Sequence, residues 1–111
     1  MATTPLNAFR TITAEITTTP TNIYTAPAGV TGIILGSQVS NVTATDQTIT
    51  AWHARGISAT ELVKNFEIPV ADAMSIIAGK LVLEAGDSIR VSASANSSLK
   101  IILSVLESAN E

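Results

Sequence analysis

Apolar and polar residues alternate along most of the chain, and the period is two rather than 3.6. Between residues 88 and 95 the pattern puts Ile89, Val91, Ala93 and Ala95 on one side of an extended segment and Ser88, Arg90, Ser92 and Ser94 on the other. After the turn-like Asn96-Ser97-Ser98 the alternation resumes, with Leu99, Ile101, Leu103 and Val105 inward; the two segments read as an antiparallel hairpin. The extra Ile102 and Leu106 make the outer side of the second strand partly apolar.

Upstream, residues 9–17 are rich in Thr and Ile, which favours a strand burying Ile12, Ala14 and Ile16. Residues 22–25 form a short extended piece stopped by Pro27, and Pro27-Ala28-Gly29 supplies a turn. A long strand follows over 31–42, where Gly32 and Gly36 predict a bulge or a close backbone approach. Residues 41–46 read as a turn, and 47–54, 61–68 and 79–84 as strands. Helical character is confined to 70–78, one or two turns at most. About eight short strands at this spacing predict an all-β chain, an antiparallel β-sandwich of jelly-roll type with at most one short helix. Residues 1–8 read as an N-terminal arm and 9–111 as a single sandwich domain.

Composition narrows the function. A chain of 111 residues has room for one core. With no cysteine, disulfides, thiol nucleophiles and cysteine metal sites are excluded, and a single histidine, His53, excludes multi-histidine metal sites. No metal or cofactor is expected. The net charge of −3 argues against a nucleic-acid surface. No apolar run is long enough for a helical membrane span, and the start of the chain does not read as a signal peptide. Charged residues make up 14% of the chain, against about 25% in an ordinary soluble domain. The polar share is carried instead by 15 Thr and 11 Ser. An exterior this neutral fits a subunit covered by other chains, because hydroxyls cost less to desolvate than Lys or Glu.

Candidate chemistry is thin. The glycines at 29, 32 and 36 match neither dinucleotide nor P-loop spacing. Glu84 with Asp87, and Glu61 with Glu67, are possible acid–base pairs, but the first flanks Ala85-Gly86, where acids commonly cap a turn, and nothing fixes their separation. Asn41-Val42-Thr43 and Asn96-Ser97-Ser98 match glycosylation acceptors only formally, as strand-end and turn sequence. Trp52 and His53 point to opposite faces, so one is core-facing and the other outward. His53 lacks a nucleophile motif and reads as structural. Four aromatics and six scattered cations offer no stacking platform for single strands and little for sugars. No catalytic residue is assigned; the candidate interface residues are Phe9, Trp52, Ile102 and Leu106.

The phrases Ile23-Tyr24-Thr25-Ala26-Pro27-Ala28-Gly29, Val39-Ser40-Asn41-Val42, Leu83-Glu84-Ala85-Gly86-Asp87-Ser88-Ile89 and Leu103-Ser104-Val105-Leu106-Glu107 resemble small β-sandwich virion proteins of tailed bacteriophages, over roughly residues 22–107. The resemblance is architectural and carries over no site residue. It implies a non-enzymatic virion protein made in the bacterial host cytoplasm: a capsid cement (decoration) subunit acting as a homo-oligomer such as a trimer on the major capsid protein. Its alternative is a neck, tail or fibre-base component. A carbohydrate- or receptor-binding module is a further reading, since sandwiches are common scaffolds for one.

Overall fold

The computed structural model describes residues 7–77 and 79–109. Among these residues nine strands follow one another: β1 (Asn7–Ile16), β2 (Thr21–Thr25), β3 (Val30–Asn41), β4 (Gln47–Arg55), β5 (Ser58–Ile68), β6 (Ala73–Met74), β7 (Leu81–Leu83), β8 (Ser88–Ala93) and β9 (Leu99–Ala109). They form two antiparallel sheets. The five-stranded sheet runs β1-β9-β3-β6, with β7 also paired to β3, and the four-stranded sheet runs β2-β8-β4-β5. The chain passes repeatedly from one sheet to the other, as in a jelly roll.

The period-two pattern is what builds the core. Ile34, Val39, Leu83, Leu99, Leu103 and Val105 face inward from one sheet and Ile49, Ala51, Ile68, Ile89 and Val91 from the other, all essentially removed from water. Each such Ile, Leu or Val contributes about 1.5–3 kcal/mol of burial free energy. Ile12 and Ala14 of β1 pack against this core and Ile16 joins it, as the alternation predicts.

Two expectations are corrected. The segments now seen as β8 and β9 are not a hairpin: β8 pairs with β2 and β4, and β9 with β1 and β3, in opposite sheets. Both strands carry an inward apolar row, and placing them in facing sheets lets the two rows bury each other. The link between them is bent by Ser97 at φ 58 and pinned by Ser98, whose hydroxyl donates to the Ala95 carbonyl at 2.6 Å. Nor is there a helix over 70–77; Ala78 lies outside the described residues. Beyond one local turn, where Asp72 N–H donates to the Pro69 carbonyl, the backbone there is spent on tertiary partners: the Asp72 carbonyl accepts from Asn41 N–H, and the N–H groups of Ile76 and Ile77 donate to the Ser37 hydroxyl. Two residues of this stretch become β6, beside Val39 and Ser40.

The glycine expectations for the long strand hold. The β3–β9 register shifts between Ile34 and Gly36, and Gly32 lies under the Tyr24 ring, where a Cβ would sit 2.9 Å from the phenol oxygen.

Candidate functional site

Two places collect the candidate residues. The first is a carboxylate clamp at one end of the sandwich. Asp87 ends a turn that starts at Glu84 and passes through Gly86 at φ 90, a conformation natural to glycine. The turn is docked on the chain before β3, with Gly86 N–H donating to the Ala26 carbonyl and Ala26 N–H to that of Asp87. Asp87 is 1% exposed, and its side chain accepts four hydrogen bonds: from Arg55 Nε at 2.8 Å, an Arg55 terminal nitrogen at 2.7 Å, Glu84 N–H at 2.9 Å and His53 Nε2 at 3.1 Å. An ionised carboxylate only accepts, so His53 presents Nε2–H. The Arg55 hydrogen bonds hold the Asp87 carboxyl well below the usual carboxylate range, against the effect of burial, with the Glu84 N–H and His53 adding to them. Asp87 in turn raises Arg55 further above its ordinary value.

Such a carboxylate is buried, tied to Arg55 and His53, and has no proton to give. Glu84, its expected partner, turns its own carboxylate to Arg55 at 3.4 Å in an exposed ion pair. Of the other pair, Glu61 lies 4.0 Å from Lys64, and Glu67 is raised by neighbouring Asp46. The structure thus brings Glu84 and Asp87 together on one Arg55 nitrogen, as an ion-paired clamp with the Asp87 carboxyl held ionised, while Glu61 and Glu67 are engaged by Lys64 and Asp46. Among the described residues no group of three His, Asp or Glu side chains is placed to hold a metal ion. Asn41, a formal glycosylation acceptor, is buried with both amide hydrogens donated to backbone carbonyls.

A second polar group closes the sandwich further along. The Tyr24 hydroxyl donates to Glu107 Oε2 at 2.6 Å, and Arg10 approaches the same oxygen at 3.5 Å. Burial, then Glu107, pushes the Tyr24 phenol above its ordinary value, with Arg10 opposing. Gly32→Ala should displace the Tyr24 ring and break this bond, costing about 1–2 kcal/mol. Thermal melts of Gly32→Ala, Tyr24→Phe and the double variant check it; the two losses should fall short of additive, since both remove the same contact.

The second place is the outer face of the five-stranded sheet. Phe9 stands opposite Leu106, Leu106 opposite Ile33, and Ile33 opposite Val82, giving one apolar row across β1, β9, β3 and β7. Phe9 is 78% exposed and Val82 54%. Ile102 lies further along the same face, and Leu35, two residues on from Ile33, shares it just before the β3 register shift. Three of the four named interface residues, Phe9, Ile102 and Leu106, thus share one face. Trp52 does not join them: it lies half-buried on the outside of the other sheet, between Arg90 and Glu61 in register. Ile33, Leu35 and Val82 were not named from sequence, although the unbroken Ile33-Ile34-Leu35 run departs from strict alternation and marks a strand apolar on both sides. A shallow depression of about 580 Å³ opens on this face, lined by Thr13, Glu15, Gln38, Ser40, Lys100 and Ile102, without an aromatic ring.

Neither a family model nor a curated protein matches the sequence. Solved structures do match in shape. The chain is similar in fold to a phage capsid structure. The acid-stable capsid structure of Helicobacter pylori bacteriophage KHP30 superposes with a TM-score of 0.59 at 8% identity, covering 96% of this chain and 90% of its own. A chain from Bacillus endospore appendages, described as disulfide-linked pili, gives 0.58 at 12% identity, covering 95% and 88%. A pentameric capsid protein from metagenomic phage sequences gives 0.41 at 19%, covering 97% and 64%. At such identities the likeness is one of fold.

Proposed function

We propose that this chain is a non-catalytic structural subunit of a phage particle, and that it serves as a capsid cement protein. The observation that carries the reading is the outer face of the five-stranded sheet, where Phe9, Leu106, Ile33, Val82, Leu35 and Ile102 are turned outward from a chain with few charges. An apolar patch rimmed by hydroxyl side chains is the composition of a protein–protein interface. We assign the surface of the assembled shell, built by the major capsid protein, as what covers it. The fold shared with a phage capsid structure supports this. A subunit that binds only the assembled shell stabilises it by mass action, with no covalent chemistry.

Copies of the chain also associate in this reading. A trimer, expected from the resemblance, has no three-fold feature of the described residues behind it; the contact argued below is two-fold. The appendage likeness favours a pilus as a second reading, but this chain has no cysteine with which to make a disulfide link.

The test is the copy number in purified particles, by quantitative mass spectrometry. A cement protein is present in hundreds of copies, whereas a neck, tail or fibre-base component forms rings of about a dozen or fewer. Absence from the particle overturns the virion reading altogether.

A further inference from the structure

The two sheets present their edges to solvent very differently. In the four-stranded sheet, β5 departs from register with β4 twice, around Thr50 and around Ala51, with Asn65 at φ 50, and it carries Glu61, Lys64 and Glu67. Bulges and charges of this kind blunt an edge against further pairing. At the opposite edge, β2 has five residues and slips register within them. In the five-stranded sheet the far side is closed by β6 and β7, of two and three residues. The exception is β1, with ten residues in unbroken register against β9 and no strand among the described residues on its other side. It is long and regular, and it carries only two charges, Arg10 and Glu15.

We propose that β1 is a pairing edge for a second copy of this chain, the two β1 strands running antiparallel about a two-fold axis at Thr11. The strand's own sequence argues for this occupant. With the axis at Thr11, outward-facing Thr11 meets its own copy, Phe9 meets Thr13, and Asn7 meets Glu15; on the inner side Ala8 meets Ala14 and Arg10 meets Ile12. Aromatic–β-branched and Thr–Thr pairs are favourable across strands, and no like charges face one another in this register. Nine residues of each strand are matched, a contact of roughly 30 Å. It also covers the exposed flank of Phe9 and extends the apolar row into a surface shared by both copies. This pairing does not depend on where the protein works, so its failure leaves the virion reading standing, and the reverse holds too.

The chain has no cysteine, which makes a single introduced thiol an unambiguous reporter. In the full chain, Thr11→Cys places two thiols on directly opposed residues about 5 Å apart at Cα, within disulfide range. Mild oxidation should give mainly covalent dimer, while Thr60→Cys on exposed β5 should stay at background. Light scattering of the unaltered chain at about 100 μM should report a dimer. Thr11→Lys, which sets two cations face to face on an exposed position, should weaken it about tenfold without changing the thermal melt. A monomeric unaltered chain overturns the proposal. So does a dimer that neither cross-links through Thr11→Cys nor responds to Thr11→Lys, which would place the contact elsewhere. Should Thr11→Lys disturb folding, the cross-link comparison decides alone.

Discussion

Replacing Asp87 with Ala should lower the stability of the fold by about 3 kcal/mol, because a buried carboxylate that accepts four hydrogen bonds is removed and its donors are left facing a gap. For a chain of this size that is roughly a 12 °C drop in Tm. Arg55 recovers part of its loss in water, being more than half exposed; His53 and the Glu84 N–H do not recover as readily. Asp87→Asn keeps the shape but presents one oxygen instead of two, so it should fall between the two. The pH dependence follows from the depressed carboxyl. Its stabilisation is fully present above the ordinary value of 3.8 and is lost as pH falls through that value towards the folded one. The gap between the unaltered chain and Asp87→Asn, measured by chemical denaturation, should be flat from about pH 8 to 5 and narrow below about 4. A gap that stays constant down to pH 3 would mean that the clamp carries no net ionic stabilisation.

Asn41→Ala should cost a similar amount, again about 3 kcal/mol. Asn41 ends β3 with its side chain turned into the sandwich. Its amide nitrogen donates to the carbonyls of Thr45 at 2.8 Å and Ile68 at 2.9 Å, while its oxygen accepts from Thr43 N–H at 2.8 Å and from the Thr43 hydroxyl at 2.7 Å. Every hydrogen-bonding position of the amide facing these groups is used, and truncation leaves the buried Ile68 carbonyl and the partly buried Thr43 N–H without these partners. Asn41→Asp is the sharper variant. At neutral pH it points a carboxylate at two carbonyl oxygens, so the folded state raises that carboxyl's pKa. The variant should be at least as unstable as Asn41→Ala at pH 7 and regain stability as pH falls, once the acid can donate. Denaturation midpoints at pH 7 and pH 4 separate the two variants; if Asn41→Asp matches the unaltered chain at pH 7, the amide is not what holds this turn.

How far the sequence foretold this molecule depends on the distance over which each feature is specified. The inward positions of β8 and β9 were legible because side chains alternate along a strand whatever its neighbours are, and Gly32 announced the close approach that Tyr24 makes. Pairing partners were not legible. The short Asn96-Ser97-Ser98 link looks the same whether it closes a hairpin or carries the chain between sheets, and only the mutual burial of the two apolar rows decides. Residues 70–77 misled for a related reason: their apolar spacing suits a helical turn, but Ser37 claims their N–H groups. The sequence marked Asp87 as a turn residue, and it does cap Glu84; its chief partners, His53 and Arg55, lie 34 and 32 positions away and leave no trace in local spacing. On the outer sheet face, Ile102 and Leu106 broke an otherwise regular pattern and stood out, whereas Ile33 and Leu35, which share that face by alternation, are hidden in an unbroken apolar run.

The short strands opposite β1 set the stoichiometry that the proposed pairing permits. A filament needs two different open ends on every subunit, one to receive and one to donate. Here β1 is the receptive edge of its sheet and the opposite side ends in the two- and three-residue β6 and β7, so pairing through β1 stops once two receptive strands have met. In that reading addition through the sheet is finite, and any larger order comes from other surfaces of the pair.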